Sequence, residues 1–310
     1  MRINYEKVVI FGGSGFIGQS LAKSLLKKNY DVVIISRNKP KLVTTCKFVS
    51  WNAETLDDWV QELENAYAIV NVVGRTVDCL KTPDNCDAIL RSRVLSVQLI
   101  GHALKQIKTQ PKVWAQMSTA HIYGDPANTV CDENSPTGYG LAPEVGKAWE
   151  NTFWNVVPET VRPVIFRTSF VIGNTGGAFK LLKKITRFGL GGTVGCGTQG
   201  FSWLHIDDMD DLFIEAIENS SMTGIYVASA PNPVSNKQFM KQLRQSMKMP
   251  LGLPATKWMV WLACRLLLNT DHEIVVYGRY VKSTRLKDLG FQFAFPNLKD
   301  AINNLCKKNK

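Results

Sequence analysis

At 310 residues, with 45% hydrophobic and 20% charged residues, the chain is too long for one small module and too apolar to stay disordered. Lys and Arg outnumber Asp and Glu by 37 to 26, a net charge of +11. The basic residues are dispersed, apart from the terminal Lys307-Lys308-Asn309-Lys310, and no zinc-finger spacing, RNP-like aromatic motif or basic heptad accompanies them. They read as a lysine-rich surface, so nucleic acid is not expected as a partner. Seven scattered cysteines without a C-x-x-C argue against a disulfide framework or a zinc site, and suit a reducing, cytoplasmic setting with no metal.

Val8-Val9-Ile10-Phe11 predicts a buried strand and Phe16 to Lys28 the helix that follows, which leaves no room for a cleaved leader. Asp31 to Ser36, Ala66 to Val73, Val113 to Met117 and Pro163 to Arg167 are further strand-like runs. Leu90, Val94, Val97, Leu104 and Ile107 recur at helical spacing and predict one long amphipathic helix, with Ser92 and Arg93 off its apolar stripe. Strands alternating with helices imply a parallel sheet covered on both faces. From about Gly173 the rhythm changes. A basic helix from Phe179 to Arg187 lies between glycine-rich stretches; a helix from Asp207 to Glu218, a strand at Ile225 to Val227 and largely helical sequence follow. Trp258 to Leu268 is the most apolar helical run, about half the roughly 20 residues of a membrane span and interrupted by Arg265. It predicts a buried core helix in preference to an amphipathic surface anchor, and no membrane partner.

Phe11-Gly12-Gly13-Ser14-Gly15-Phe16-Ile17-Gly18 closes the first strand and opens the first helix. Glycine serves there where the turn needs positive φ, where backbone must approach a diphosphate, and where helix and strand pack closely. The exposed N–H groups and the dipole at the helix start suit phosphate. The prediction is an α/β, Rossmann-type doubly wound parallel sheet over 1–230, including returning segments. A smaller, mostly helical C-terminal substrate domain takes 231–310.

The spacing G-x-x-G-x-x-G resembles the extended and atypical short-chain dehydrogenase/reductases. Asn71-Val72-Val73-Gly74 is similar to that family's N-x-x-G, and Ser118-Thr119-Ala120-His121-Ile122-Tyr123-Gly124 to its S-S-x-x-x-Y-G. Arg167 to Gly173, Gly189-Leu190-Gly191-Gly192, Trp203-Leu204-His205-Ile206-Asp207-Asp208 and Leu286 to Phe293 narrow the likeness to the "epimerase family protein" subgroup. Those proteins carry a C-terminal domain of unknown function behind an NAD(P)-binding domain. The resemblance spans nearly the whole chain and implies fold and cofactor far more than a reaction.

The second strand ends Ser36-Arg37-Asn38-Lys39, with no carboxylate to accept from a ribose hydroxyl. Arg37, helped by Ser36, offers donors to a 2′-phosphate, which makes NADP(H) the expected cofactor. A plain basic surface turn is the alternative. Gly74 lets backbone approach the ribose and phosphates. Arg75 faces phosphate or substrate, or carries a solvated loop charge.

Active short-chain reductases place Tyr and Lys four residues apart on one helix face, where the ammonium lowers the tyrosine pKa. Here Tyr139 and Lys147 are eight apart with Pro143 between them. Counting from Trp149-Glu150 puts Ala142 and Gly146 at the usual positions, so the standard pair is missing. Thr119 matches the family's substrate-binding hydroxyl, or else caps its strand end. Tyr139 and Lys147 remain candidates recruited from a loop. His205 is a candidate proton donor or a brace beside the helix cap Asp207, and Trp203 a candidate substrate-pocket wall. These residues support two readings: an NADP(H)-dependent oxidoreductase or epimerase-like enzyme for a small carbonyl or sugar-like substrate, and a non-catalytic NADP(H)-binding regulator.

Overall fold

A computed structural model describes residues 6–43, 45–126 and 129–307. The first half runs β1 (Lys7–Phe11), α1 (Phe16–Lys27), β2 (Asp31–Ser36), β3 (Lys47–Ser50), β4 (Ala68–Asn71), α2 (Pro83–Leu104), β5 (Val113–Thr119), β6 (Val130–Cys131) and α3 (Leu141–Val156). Then come β7 (Arg162–Thr168), β8 (Phe170–Ile172), α4 (Phe179–Arg187), β9 (Gly200–Phe201), β10 (Trp203–His205), α5 (Ile206–Glu218) and β11 (Gly224–Ala228). The remainder is β12 (Val234–Ser235), α6 (Asn236–Ser246), α7 (Lys257–Ala263), α8 (Glu273–Val276), β13 (Tyr280–Val281), α9 (Thr284–Asp288) and α10 (Leu298–Cys306).

Seven parallel strands form the central sheet in the order β11-β7-β5-β4-β1-β2-β3. The chain moves outward from β1 in one direction through β2 and β3, then returns to β4 on its other side. That reversal opens a crevice at the carboxyl ends of β1 and β4, where ligands bind in open α/β sheets. Val8, Ile10, Val32 and Ile34 pack with Leu21, Leu25, Met209 and Phe213 of α1 and α5 on one face. Val9, Phe11, Val33 and Ile35 pack with Trp59, Val97, Trp149 and Phe153 on the other. Alternation of side chains across strands buried on both faces accounts for the continuous β-branched runs.

A third apolar cluster joins α6 and α10 to residues nearer the sheet: Phe239, Leu243, Ala301 and Ile302 pack with Ile172, Phe179 and Trp203. Two short pairings carry the late chain back, β12 onto β9 and β13 onto β6. Glu133 reinforces the second. Its carboxylate accepts from Val227 N (2.8 Å), Thr284 N (3.1 Å) and Thr284 Oγ1 (3.0 Å), and from the Ser283 hydroxyl.

Three sequence expectations change. Strand β3 was not foreseen, because Lys47-Phe48-Val49-Ser50 offers only two apolar residues for the period to register. The buried positions of α2 are Ile89, Ser96, Val97, Ile100, Gly101, Ala103 and Leu104: Val97 and Leu104 lie inward as expected, Leu90 and Val94 are only half-buried, and Arg93 comes inward over Trp149. Trp258 to Leu268 does not form a buried core helix. Helix α7 and the π-turn Cys264–Leu268 rest on Val260 and Cys264, leaving Trp258 66% and Leu266 69% exposed. Two modest buried side chains one turn apart seat the helix and leave its bulky residues outward. Among the described residues no helix is long and apolar enough to cross a membrane; residues 308–310 of the basic terminus lie outside the described residues.

Candidate functional site

The glycine turn sits at the crevice. Gly12 has φ +76°, and a Cβ there would lie 3.0 Å from Val73 N, where β1 and β4 come together. A Cβ at Gly13 would lie 2.7 Å from Ile34 Cγ2, and one at Gly18 would lie 2.5 Å from Gly13 Cα. Helix α1 therefore packs directly onto the turn. Gly15 is its N-cap and supplies no side-chain cap, so the first-turn N–H groups, including those near Phe16 and Ile17, point to the crevice with no capping acceptor. Bare glycine backbone plus an uncapped helix start fit a diphosphate. Gln19 then braces the turn: its Nε2 donates to Ser14 O (2.8 Å), while its Oε1 accepts from Lys41 N (2.9 Å) and Leu42 N (2.7 Å). The Phe16 ring is held by glycines, since a Cβ at Gly173 would lie 2.6 Å from Phe16 Cζ and one at Gly176 2.6 Å from Phe16 Cβ. Phe16 thus locks the helix start against the chain after β8.

At the end of β2, the buried Ser36 donates its hydroxyl to Asn38 O (2.8 Å), which tightens the turn and leaves Arg37 and Lys39 exposed beyond it. Among the described residues no hydrogen bond or ion pair engages the Arg37 guanidinium. Asn71 is wholly buried and structural. Its Nδ2 donates to Gln116 Oε1 (3.0 Å) and its Oδ1 accepts from Val73 N (3.0 Å), bending the chain into Gly74. Arg75 lies exposed with Nη2 on Asn85 Oδ1 (2.8 Å), while its backbone N–H donates to Ser92 Oγ (3.0 Å). Arg93 comes up beneath: a Cβ at Gly74 would lie 3.2 Å from its Cζ, and it stacks 5.0 Å over Trp149.

Thr119 ends β5 and caps the following single turn, Ala120–Tyr123, its Oγ1 accepting from His121 N (3.1 Å). The side chain is half-buried and faces α3, where a Cβ at Gly146 would lie 3.3 Å from Thr119 Cγ2. The position at which the resemblance places lysine therefore carries no side chain beside Thr119. Tyr139 is 93% exposed, just ahead of α3. Lys147, on α3, pairs with Glu144 at 2.5 Å, an exposed i,i+3 contact of little energetic weight.

His205 and Trp203 depart from the expected roles. His205 is 1% exposed, its ring 3.9 Å from that of Phe295, and its Nδ1 accepts from Asp207 N (3.2 Å) as the cap of α5. Burial lowers its pKa, so the ring is a neutral brace without a face on the crevice. Trp203 has no exposed surface, and its Nε1 donates to Asn232 O (3.3 Å). It is core and not a pocket wall. Trp203 packs in the apolar cluster that joins α6 and α10 to Ile172 and Phe179, and His205 packs against Phe295.

A buried network beneath Thr119 was missed. Arg167 on β7 forks onto Glu150 of α3 (Nε–Oε1 2.9 Å, Nη2–Oε2 2.8 Å) and donates from Nη1 to the Tyr123 hydroxyl (3.0 Å). Ser118 Oγ also donates to Glu150 Oε1 (2.7 Å). The carboxylate and hydrogen bonds hold Arg167 firmly cationic, while burial pushes the Tyr123 hydroxyl up to about 12. Tyr123 is thus an acceptor in the scaffold, not an acid. A charged residue inside the apolar run Val164 to Thr168 was the signal available for this pair.

Comparison with known proteins agrees with this architecture. The sequence model of the NAD dependent epimerase/dehydratase family matches residues 8–228, and a domain of unknown function, DUF1731, matches 261–305. Similar relatives include the Arabidopsis thaliana epimerase family protein SDR39U1 homolog, chloroplastic, 29% identical over 97% of this chain and 86% of that protein. The Bacillus subtilis epimerase family protein YfhF is 28% identical over 98% of this chain and 99% of its own. The crystal structure of human epimerase family protein SDR39U1 (isoform 2) with NADPH superposes with a TM-score of 0.85 at 24% identity, covering 97% of this chain and 99% of that one. With a glycine turn at the sheet's point of reversal and a matching sequence over most of its length, this chain belongs to the NAD dependent epimerase/dehydratase family.

Proposed function

We propose that the chain is an NADP(H)-dependent oxidoreductase or epimerase-like enzyme acting on a small carbonyl or sugar-like substrate. The observation that carries the reading is the pairing of the Gly12–Gly18 cradle with an unengaged Arg37, and no carboxylate, at the end of β2. Gly12, Gly13, Ser14, Gly15, Phe16, Ile17 and Gly18 would hold the diphosphate, Arg37 the ribose phosphate from the turn that Ser36 tightens, and Gly74 and Arg75 the nicotinamide side, on the bend that the buried Asn71 sets. NADPH in the human SDR39U1 structure supports this choice of nucleotide.

The nicotinamide ring, when bound, supplies or accepts hydride at its C4. This chain's residues orient and polarise the substrate. Because the His121 N–H occupies one lone pair of Thr119 Oγ1, the Thr119 hydroxyl hydrogen is free to donate to a carbonyl oxygen. Proton handling falls to Lys147, whose ammonium pairs with Glu144 on α3, or to Tyr139 brought in from its exposed loop. Simple reduction demands less than epimerisation, which needs hydride returned to the opposite face.

Arg37→Asp tests the nucleotide assignment. Calorimetric titration should show NADPH affinity falling by about 1–3 kcal/mol, a charge-assisted bond lost, with NADH little changed. Equal loss for both nucleotides would sink it. The vacant lysine position at Gly146 favours a second reading, a non-catalytic NADP(H)-binding regulator. Tight NADPH binding with no oxidation across a carbonyl panel would select that reading.

A further inference from the structure

Four cationic or potentially cationic side chains gather near the crevice without an acid in ion-pair contact. Arg93 is fixed under Gly74, its Nη1 donating to Arg75 O (3.2 Å) and Ile89 O (3.0 Å). Lys81, in the segment after β4, donates to Val77 O (2.5 Å) and Cys79 O (3.3 Å). His121 lies in the turn that follows Thr119. Arg279 arrives from the far end of the chain: its backbone bridges to Phe201, and its N–H donates to Gly200 O (3.0 Å). Two residues on, Val281 packs with Ala120, Ile122 and Tyr123 of that same turn. Alternate residues of extended chain share a face, so Arg279 is directed toward the turn that holds His121.

Buried arginines elsewhere in this molecule are satisfied. Arg167 has Glu150, Arg162 donates to the carbonyls of Met222 and Ala216, and Arg285 donates to those of Ile225 and Thr223. Arg279 differs. Its Nε is buried with no acceptor, and its guanidinium makes no side-chain hydrogen bond among the described residues. Burial lowers both Arg93 and Arg279 to about 10, so both remain charged at neutral pH. The Arg279, Lys81 and Arg93 charges add to burial in holding His121 well below the usual imidazole range. Asp125 is the carboxylate whose field reaches Arg279, and it stands outside ion-pair distance. A desolvated guanidinium left without a partner is costly, and a fork of donors facing the turn that carries His121 is complementary to an oxyanion.

We propose that Arg279, facing the turn that carries His121, forms a subsite for the oxyanion head group of the substrate, a carboxylate or a phosphate, with Arg93 beneath Gly74 adding positive charge to the same crevice. The inference rests on the cofactor reading above and deepens it: the molecule presented to Thr119 is anionic, and the late segment around β13 supplies a specificity residue. Lys81 adds charge at the entrance, and His121 is a neutral donor that becomes easier to protonate once an anion is seated.

The test uses the full chain saturated with NADPH and three probes: oxamate, inorganic phosphate and neutral acetamide. Calorimetry should show oxamate or phosphate binding and acetamide not; the tighter anion identifies the head group. Arg279→Met should weaken that anion about tenfold or more, with Arg279→Lys recovering part of the loss and NADPH affinity unchanged. Should Arg279→Met not fold, the imidazole titration of His121 by NMR in the unaltered protein decides, because a seated anion must raise its pKa. Anions that bind no better than acetamide, leave His121 unmoved, or bind Arg279→Met as well as the parent overturn the subsite. NADPH binding without anion binding refutes the subsite alone. Absent NADPH binding refutes the cofactor reading, and the same titrations on the free protein still judge the subsite.

Discussion

Asp210 on α5 should make this fold lose stability as pH rises, and Asp210→Asn should abolish that loss. The side chain is 2% exposed between α1 and α5; Oδ2 accepts from Ser20 Oγ (2.7 Å) and Ser24 Oγ (2.9 Å), and Oδ1 has no partner. Burial, with the two serine bonds only partly offsetting it, raises the carboxyl from its usual 3.8 to about 7. The folded chain therefore binds the proton more tightly than the unfolded chain. The associated stability is fully present below pH 4 and declines until about pH 7. About three pKa units correspond to roughly 4 kcal/mol, of which about 2–3 kcal/mol falls between pH 5 and pH 8. Asparagine neither ionises nor changes the volume. Urea unfolding followed by tryptophan fluorescence at pH 5, 6, 7 and 8 gives the difference between variant and parent, in which the neighbouring Asp208, raised to about 6, cancels. Asp210→Asn should gain about 2–3 kcal/mol on the parent across that range. A difference flat to about 0.5 kcal/mol would mean that the ionised form is compensated, and the burial argument would fail.

Gly18→Ala forces a Cβ to within 2.5 Å of Gly13 Cα, a backbone atom that cannot yield; both melting temperature and NADPH affinity should fall, by about 1–3 kcal/mol of stability. Arg167→Met leaves Glu150 buried without its partner and should cost about 3–5 kcal/mol, whereas Arg167→Met with Glu150→Leu should recover much of it. Coincident denaturation curves for the single and double variants would refute that coupling. Trp258→Gln, at a 66% exposed position, should change stability by no more than about 0.5 kcal/mol, against about 3–5 kcal/mol for Trp149→Ala in the core, both read by urea midpoint.

The sheet and its cradle were legible because their causes are local. A β-branched run buried on both faces and glycines required by φ and by close packing leave marks on consecutive residues, as Val8 to Gly18 does. The inward face of α2 was read rightly at Val97 and Leu104 but not at Ser96 and Ala103, which are wholly buried where Leu90 and Val94 are only half so; packing against α3, not hydrophobicity, decided those positions. Trp203, His205 and Arg279 were beyond local reading for a different reason. Their surroundings come from segments 29 to 159 residues away, Asn232, Phe295 and the turn after β5, which no periodicity connects. Glu150 shows the same limit, since it looks like an ordinary surface charge until β7 and α3 are brought together; of the pair only Arg167, set in an apolar strand, carried a local mark.

The carboxylate of Glu133 has an implication for how the molecule is made. Its partners Ser283 and Thr284 stand 150 and 151 positions later in the chain. Synthesis proceeds from the amino terminus and domains tend to close as they emerge, yet this acid waits for residues made long after it. Until then the sheet edge at Val227 has its ligand but the ligand lacks its own tether, and the growing polypeptide carries an unfinished seam. A nascent chain of this protein therefore completes this seam only after Thr284 has emerged, and its vulnerability to proteases and to misassembly is greatest before then.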